Sequence, residues 1–162
     1  MASYSIFAQQ REAFDAKNEK IEFIRQLFRT DSLKLYVKQS TIHSEDFLCS
    51  VHKSDYLNND EENQADEQLK SINKFIWIDD LYKNIKVISD SSFIKSDIDK
   101  LVEDLHQNLI IMSNPIFLRN GKYCVFFYRI VCGGICIQSD LSLYIKERGK
   151  WIKKEEYCSW MN

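Results

Sequence analysis

The 162-residue chain is poor in proline and glycine and lacks a long apolar run. One Pro and four Gly exclude collagen-like or extended low-complexity character. The N-terminus has no basic segment followed by an apolar stretch, so no secretory signal is expected. No run approaches the roughly 18 apolar residues that a membrane helix requires. We therefore expect a cytoplasmic protein that does not associate with membranes.

The chain also lacks an excess of charge of either sign. Its 22 Lys and Arg against 24 Asp and Glu give a net charge of −2. This balance excludes a nucleic-acid binder held by bulk positive charge, because phosphate contacts need clustered Lys and Arg. Nucleophile elbow, phosphate loop, dinucleotide fingerprint and paired metal-binding histidines are missing. We therefore predict no cofactor, no metal site and no catalytic residues, which weighs against an enzyme.

An apolar content of 44% in 162 residues is sufficient for the core of one domain. We predict that residues 1–162 form a single domain. It would contain an N-terminal helical region over 7–30, an acidic loop over 58–68, a helix over 97–107 and a C-terminal β-meander over 110–160.

Two of these segments show helical spacing of apolar residues. Region 7–30 repeats them every seven residues, at Phe7, Phe14, Ile21 and Phe28. In 97–107, Ile98 and Leu101 begin a spacing of three and four residues after a Ser96 cap.

Turn signals divide the meander into strands. Pro115 indicates an edge or a bulge in 110–118, and Asn120-Gly121 is typical of a two-residue hairpin turn. Residues 123–132 carry large apolar side chains at successive positions, which requires a strand covered on both faces. Residues 135–146 alternate apolar and polar, which predicts a half-buried strand before the turn at 148–149.

The predicted fold class is therefore α+β. An antiparallel β-meander sheet of about four to six strands packs against one or two helices. Helices on one concave face of a curved sheet would leave an apolar pocket.

A succession of short motifs runs through the second half of the chain. A Pro-x-Phe strand at 115–117 and a Gly-Lys-Tyr strand at 121–123 precede a Cys-Gly hairpin at 132–136 and a Gly-Lys-Trp hairpin at 149–151. Across residues 96–152 this order resembles uncharacterised small bacterial α+β proteins, although Ile137 stands where that pattern has Gly. The resemblance implies a shared fold and carries no activity.

Five cysteines without a secretory signal predict reduced thiols, most of them in the core. Cys132 and Cys136 are the exception, because they would face each other across a three-residue hairpin loop. Facing Cα atoms lie about 4.5–5.5 Å apart, within the range of a disulfide. A two-residue loop would instead place Val131 opposite Cys136. A redox or structural disulfide between Cys132 and Cys136 is therefore a hypothesis.

The function that we predict is a non-catalytic protein-binding module, such as an inhibitor or a toxin-neutralising, immunity-type protein. The acidic loop would speed the encounter with a basic protein partner. Tyr157 and Trp160, near the end of the last strand, would extend this interface. The acidic residues of the predicted interface are Asp60, Glu61, Glu62, Asp66 and Glu67.

Two alternatives remain open. A small-molecule binder or enzyme would use the concave face of the sheet, with His43, His52 or Asp79 in its pocket. A redox-responsive protein would act through Cys132 and Cys136.

Overall fold

A computed structural model of the chain describes residues 15–29, 35–40, 50–70, 76–77, 84–95, 100, 102–103, 108–132 and 137–161. Side chains 93–95, 160 and 161 are outside this description. The described elements are α1 (Ala16–Phe28), β1 (Leu35–Lys38), α2 (Asn59–Lys70), β2 (Ile85–Ile88), α3 (Asp90–Lys95), β3 (Leu109–Met112), β4 (Ile116–Leu118), β5 (Tyr123–Val131), β6 (Ile137–Glu147) and β7 (Lys150–Met161).

Helix α1 is the described part of the helical region predicted over 7–30. The Asp15 carboxylate accepts hydrogen bonds from the backbone N–H groups of Lys17 and Asn18, at 3.1 and 3.2 Å, and so caps the first turn. The helix ends where Arg29 adopts the left-handed conformation with φ of 49°. Residues 1–14, including Phe7 and Phe14, lie outside the described residues.

The acidic loop predicted over 58–68 is wrong, because this segment is helix α2. The Asn58 side chain accepts from the backbone of Glu61, and the Glu61 carboxylate accepts from the backbone of Asn58, both at 3.0 Å. This reciprocal pair is a capping box with Asn as its cap. Ala65 and Leu69 bury one side of the helix. Two apolar residues four positions apart are enough to dock a helix whose start is capped.

The strands form one mixed sheet in the order β2-β1-β3-β5-β6-β7, with β4 also paired to β5. Strands β3 to β7 pair antiparallel, as the predicted meander requires. Strand β1, however, pairs in parallel with both β2 and β3. Over the described ranges the sheet therefore has seven strands rather than four to six, and their order is mixed rather than that of a pure meander. Local sequence periodicity indicates a strand but not its distant partner.

The break between β3 and β4 occurs at Pro115, where an edge or bulge is predicted. Because Pro has no N–H, the chain leaves the ladder there. Ser113 bridges the gap, since its N–H donates to the Phe127 carbonyl at 2.9 Å and its hydroxyl accepts from the Phe127 N–H at 3.1 Å. Strand β5 thus keeps its hydrogen bonds across the interruption.

The two described hairpin turns differ. Glu147 pairs with Lys150, so Arg148 and Gly149 form a two-residue turn with φ of 50° and 78°, as predicted. Leu118 pairs with Tyr123, so the turn around Asn120 contains four residues and not the two expected. The hairpin loop at 133–136 lies outside the described residues.

Helices cover both faces of the sheet, which corrects the expectation of helices on one concave face. Phe127 packs in the same cluster as Ala65 and Leu69 of α2, and we call this side the α2 face. Phe126 packs in the same cluster as Phe23 of α1, on what we call the α1 face. Both Phe126 and Phe127 are fully buried, so β5 is central as predicted.

Of the helix predicted over 97–107, the described residues 100, 102 and 103 are helical. Val102 is buried in the core cluster of the α2 face. None of the helices in the described ranges has the length and apolar character to cross a membrane.

Candidate functional site

Two hairpin turns lie side by side at one end of the sheet. The Lys146 N–H donates to the Lys122 carbonyl at 2.9 Å and so joins the turn before β5 to the end of β6. Lys122, Arg148 and Lys150 are exposed at this end. Within the described part of the chain, none of these three side chains has an ion-pair partner. No carboxylate among the described residues therefore neutralises their charge.

Two exposed side chains with apolar surface, Ile152 and Tyr56, belong to the face that these turns border. Ile152 is 39% exposed and pairs with Ile145, which in turn pairs with Tyr123, so the three form a row across β7, β6 and β5. This row lies on the α2 face. Tyr56, also 39% exposed, belongs to the segment 50–58 that covers the same face through Val51 and Leu57. We call Tyr56, Ile152, Lys122, Arg148 and Lys150 the hairpin-end patch.

Arg119 holds the patch in place. Its guanidinium makes two hydrogen bonds of 2.6 Å to the Glu61 carboxylate, and these lower the pKa of Glu61. It also donates to the Tyr56 carbonyl at 3.1 Å. Arg119 and Lys122 lie 4.7 and 5.2 Å from the centre of the Tyr123 ring. Helix α2, the segment 50–58 and the hairpin are thereby connected through one side chain.

The segment 50–58 is also anchored to the last strand. The Glu155 carboxylate accepts hydrogen bonds from the Ser54 hydroxyl, from the Asp55 N–H at 2.7 Å and from the Tyr157 hydroxyl at 3.2 Å. On the other side, the Glu62 carboxylate accepts from the Ser54 N–H at 2.6 Å. These bonds fix the backbone immediately before Tyr56.

A polar pocket of about 270 Å³ lies next to this anchor. The Nδ1 atom of His52 is 2.9 Å from the Ser50 carbonyl, and burial raises the pKa of Tyr157, which keeps its phenol protonated. The oxygens of Glu155 are already engaged, and Glu156 pairs with Lys153 at 2.6 Å. The residues that line the pocket are His52, Lys53, Glu155, Glu156 and Tyr157.

This pocket differs from the apolar concave site expected of a small-molecule binder. Among the described residues, no group of three or more His, Cys, Asp and Glu could hold a metal ion. His52 is exposed in the pocket, whereas His43 and Asp79 lie outside the described residues.

The acidic residues predicted to bind a partner are mostly engaged within the protein. Glu61 bonds Arg119, and Glu62 bonds the Ser54 backbone. Asp66 accepts from the Val51 N–H at 2.8 Å and pairs with Lys70 at 2.9 Å. Asp60 and Glu67 are the two exposed members of the set. The sequence signal for this helix is the capping pair Asn58 and Glu61, three residues apart.

The two aromatic residues of the predicted interface have different outcomes. Tyr157 is half-buried, and its hydroxyl is engaged by Glu155. The backbone of Trp160 belongs to β7, but its side chain lies outside the described residues. Neither residue belongs to the hairpin-end patch.

A buried charge on the α1 face has no counterpart in the sequence predictions. Asp140 is 4% exposed and accepts hydrogen bonds from the Ser142 hydroxyl and the Lys153 ammonium group. Burial lowers the pKa of Lys153, but bonds to Asp140 and Glu156 outweigh it and raise that pKa overall. Asp140 and Ser142 lie on the polar face of the half-buried strand predicted over 135–146, and this face is buried as well. Because the Lys153 ammonium group neutralises Asp140, we assign this pair to stability.

The expectation of reduced thiols is wrong for two cysteines. Cys132 and Cys158 are disulfide-bonded, whereas Cys124 is a free, buried thiol whose pKa is raised by burial. Cys158 lies opposite Leu141 on β6, and Leu141 lies opposite Phe127 on β5. Because Phe127 is five residues before Cys132, the backbones of Cys158 and Cys132 are too far apart for a disulfide that joins these two cysteines. An odd count requires only one unpaired cysteine. Cys136 lies outside the described residues, and its pairing with Cys132 stays a prediction.

Searches of family models, curated proteins and solved structures find no match to this chain. The resemblance of residues 96–152 to small bacterial α+β proteins therefore stays a prediction.

Proposed function

We propose that this protein is a non-catalytic protein-binding module and that the hairpin-end patch is its contact surface. The observation that supports this proposal is the combination of Tyr56 and Ile152, both 39% exposed, with three exposed cations that lack ion-pair partners among the described residues. Aromatic and apolar side chains surrounded by a charged rim are typical of protein interfaces. An inhibitor or immunity-type protein, which blocks its partner by binding, is the specific form that we propose.

The anchoring of the patch supports the same proposal. Tyr56 follows a backbone held by Glu155 and Glu62, and its own carbonyl is held by Arg119. A surface that is ordered before binding loses less conformational entropy on association. These hydrogen bonds to the backbone therefore favour a preformed interface over one that folds on contact.

Affinity capture with matched variants tests the proposal. Ile152→Ser removes an apolar side chain of the patch, and Ile76→Ser removes one that is 52% exposed outside it. Each tagged protein is incubated with an extract of the source organism, and bound proteins are quantified by mass spectrometry. We expect a partner that is retained by the wild type and by Ile76→Ser but lost from Ile152→Ser.

Thermal melts must first show that both variants are folded. Capture of no protein by the wild type would contradict the proposal, as would equal capture of the same partner by both variants.

The disulfide state of Cys132 favours a second candidate function, a redox-responsive protein. A dithiol reductant would transfer two electrons and two protons to the bond, giving two thiols and the oxidised reductant. Disulfides persist in oxidising compartments, so this observation also favours such a compartment over the cytoplasm. We expect partner capture to change at least several-fold after mild reduction if the bond regulates binding. Unchanged capture by fully reduced, folded protein would eliminate this candidate.

A further inference from the structure

We propose that the hairpin-end patch binds an acidic, extended polypeptide segment that also carries an apolar side chain. This inference rests on the proposed protein-binding function and specifies the chemistry of the partner. It reverses the charge expected from the sequence, which pointed to a basic partner.

The charge around the patch is opposite to that of the whole chain. The chain has a net charge of −2. At the hairpin end, Glu61 pairs with Arg119, Glu19 with Lys146 and Glu147 with Lys154. These three pairs leave the charges of Lys122, Arg148 and Lys150 in excess. A local positive potential of this kind attracts carboxylates and accelerates their encounter with the surface.

Three acids of α2 do not offset this potential, because they are engaged within the protein. Glu61, Glu62 and Asp66 are held by Arg119 and by backbone N–H groups of the segment 50–58. The exposed acids Asp55 and Asp60 belong to the segment 50–58 and to α2, whereas Lys122, Arg148 and Lys150 carry the charge at the turns themselves, near Ile152.

Spacing indicates an extended partner segment. Lys122 precedes β5 and Lys150 begins β7, two strands away. Neighbouring strands lie about 4.8 Å apart, so the two backbones are separated by roughly 10 Å. An extended chain advances about 3.3 Å per residue and side chains at even spacings share a face, so carboxylates two or four residues apart, about 7–13 Å, would reach both lysines. An apolar side chain next to the carboxylate at Lys150 would then lie near Ile152, which is two residues further along β7.

A protein segment fits the patch better than a nucleic acid or a membrane. Nucleic-acid binding driven by phosphates commonly uses about 6–10 cationic contacts, and lipid headgroup binding uses clusters of about 4–8 Lys and Arg. The patch offers three unpaired cations. Ile152 lies within a strand of the α2 face and is not at the tip of the turn, where it could insert into a bilayer.

A charge-reversal variant with a matched control tests this inference. The triple variant K122E/R148E/K150E changes the patch, while K17E/K86E/K100E makes the same change of net charge at exposed lysines elsewhere. The probe is a fluorescent peptide that repeats Glu-Glu-Leu, and its binding is measured by anisotropy at low ionic strength. We expect the patch variant to bind at least tenfold more weakly than the wild type, and the control variant to bind within about twofold of it.

Further probes compare the acidic peptide with ligands of other chemical classes. A Lys-Lys-Leu peptide, a duplex DNA and vesicles containing phosphatidylserine are measured in the same way. Tighter binding of DNA or vesicles than of the acidic peptide would overturn the inference. So would equal binding of the acidic peptide by the two triple variants, or no binding by the wild type.

The same triple variants used as bait distinguish this inference from the proposed function. If the captured partner is lost from Ile152→Ser but retained by K122E/R148E/K150E, the patch binds a protein and the acidic chemistry is wrong. Loss of the partner from K122E/R148E/K150E, with retention by K17E/K86E/K100E, supports both.

Discussion

Replacement of Phe23 by Ala should destabilise the protein more than most single substitutions. Phe23 is fully buried and is the centre of an aromatic cluster on the α1 face. Its ring meets four other rings edge to face, with centroid distances of 5.1–6.3 Å, and these belong to Phe117, Phe126, Tyr144 and Trp151. Four different strands therefore contact one side chain of α1.

The expected loss follows from the size of the cavity. Phe→Ala in a rigid core lowers the free energy of unfolding by about 3–5 kcal/mol. A domain of this kind has a total of about 5–15 kcal/mol, so the loss is a large share. With a urea m-value of about 2 kcal/mol/M, the unfolding midpoint should fall by roughly 2 M. Circular dichroism and tryptophan fluorescence measured through a urea titration would record this shift.

Phe28→Ala is the matched control on the same helix. Phe28 is half-buried and its ring meets only Phe126 and Tyr128 among the described rings, at 6.4 and 5.4 Å. Its replacement should cost about 1–2 kcal/mol. A loss below about 1 kcal/mol for Phe23→Ala, or equal losses for both variants, would refute the packing of α1 on this face.

Three further predictions concern α2 and the free thiol. Asn58→Ala removes the cap of α2 and should lower the free energy of unfolding by about 1 kcal/mol in urea titrations. Arg119 lowers the pKa of Glu61 from its ordinary 4.5, so this pair stabilises the fold above that pH, and the stabilisation is lost as pH falls through the lowered pKa. Glu61→Gln should therefore reduce the slope of the free energy of unfolding against pH in the acid range. An unchanged slope would contradict the pairing. Cys124 is buried with a raised pKa, so Ellman's reagent should label it only after unfolding, and rapid labelling of the native protein would be inconsistent with its position.

The parts of the fold that sequence predicts are those fixed by neighbouring residues. Phe126 and Phe127 adjoin in the chain, so both faces of β5 must be covered whatever lies opposite. Gly149 permits the positive φ that the two-residue turn needs, and the dipeptide signal is therefore local. Pro115 likewise interrupts hydrogen bonding by its own chemistry.

The parts that sequence does not predict depend on distant contacts. Asp140 reads as a solvent-facing residue of an alternating strand, and only the ammonium group of Lys153 allows its burial. The acids of α2 read as a solvated loop because their partners, Arg119 and the backbone at Val51, are remote in sequence. The hairpin-end patch is missed for the same reason, since Arg119 links the Tyr56 backbone to the Tyr123 ring only in the fold.

Photo-crosslinking from the patch tests the central claim most directly. Benzoylphenylalanine is introduced at Ile152 or, as a control, at Ile76, and cells of the source organism that express either variant are irradiated. The proposed interface predicts a discrete covalent complex with another protein from position 152 and none from position 76. No adduct from position 152, or the same adduct from both positions, would contradict the assignment of this surface.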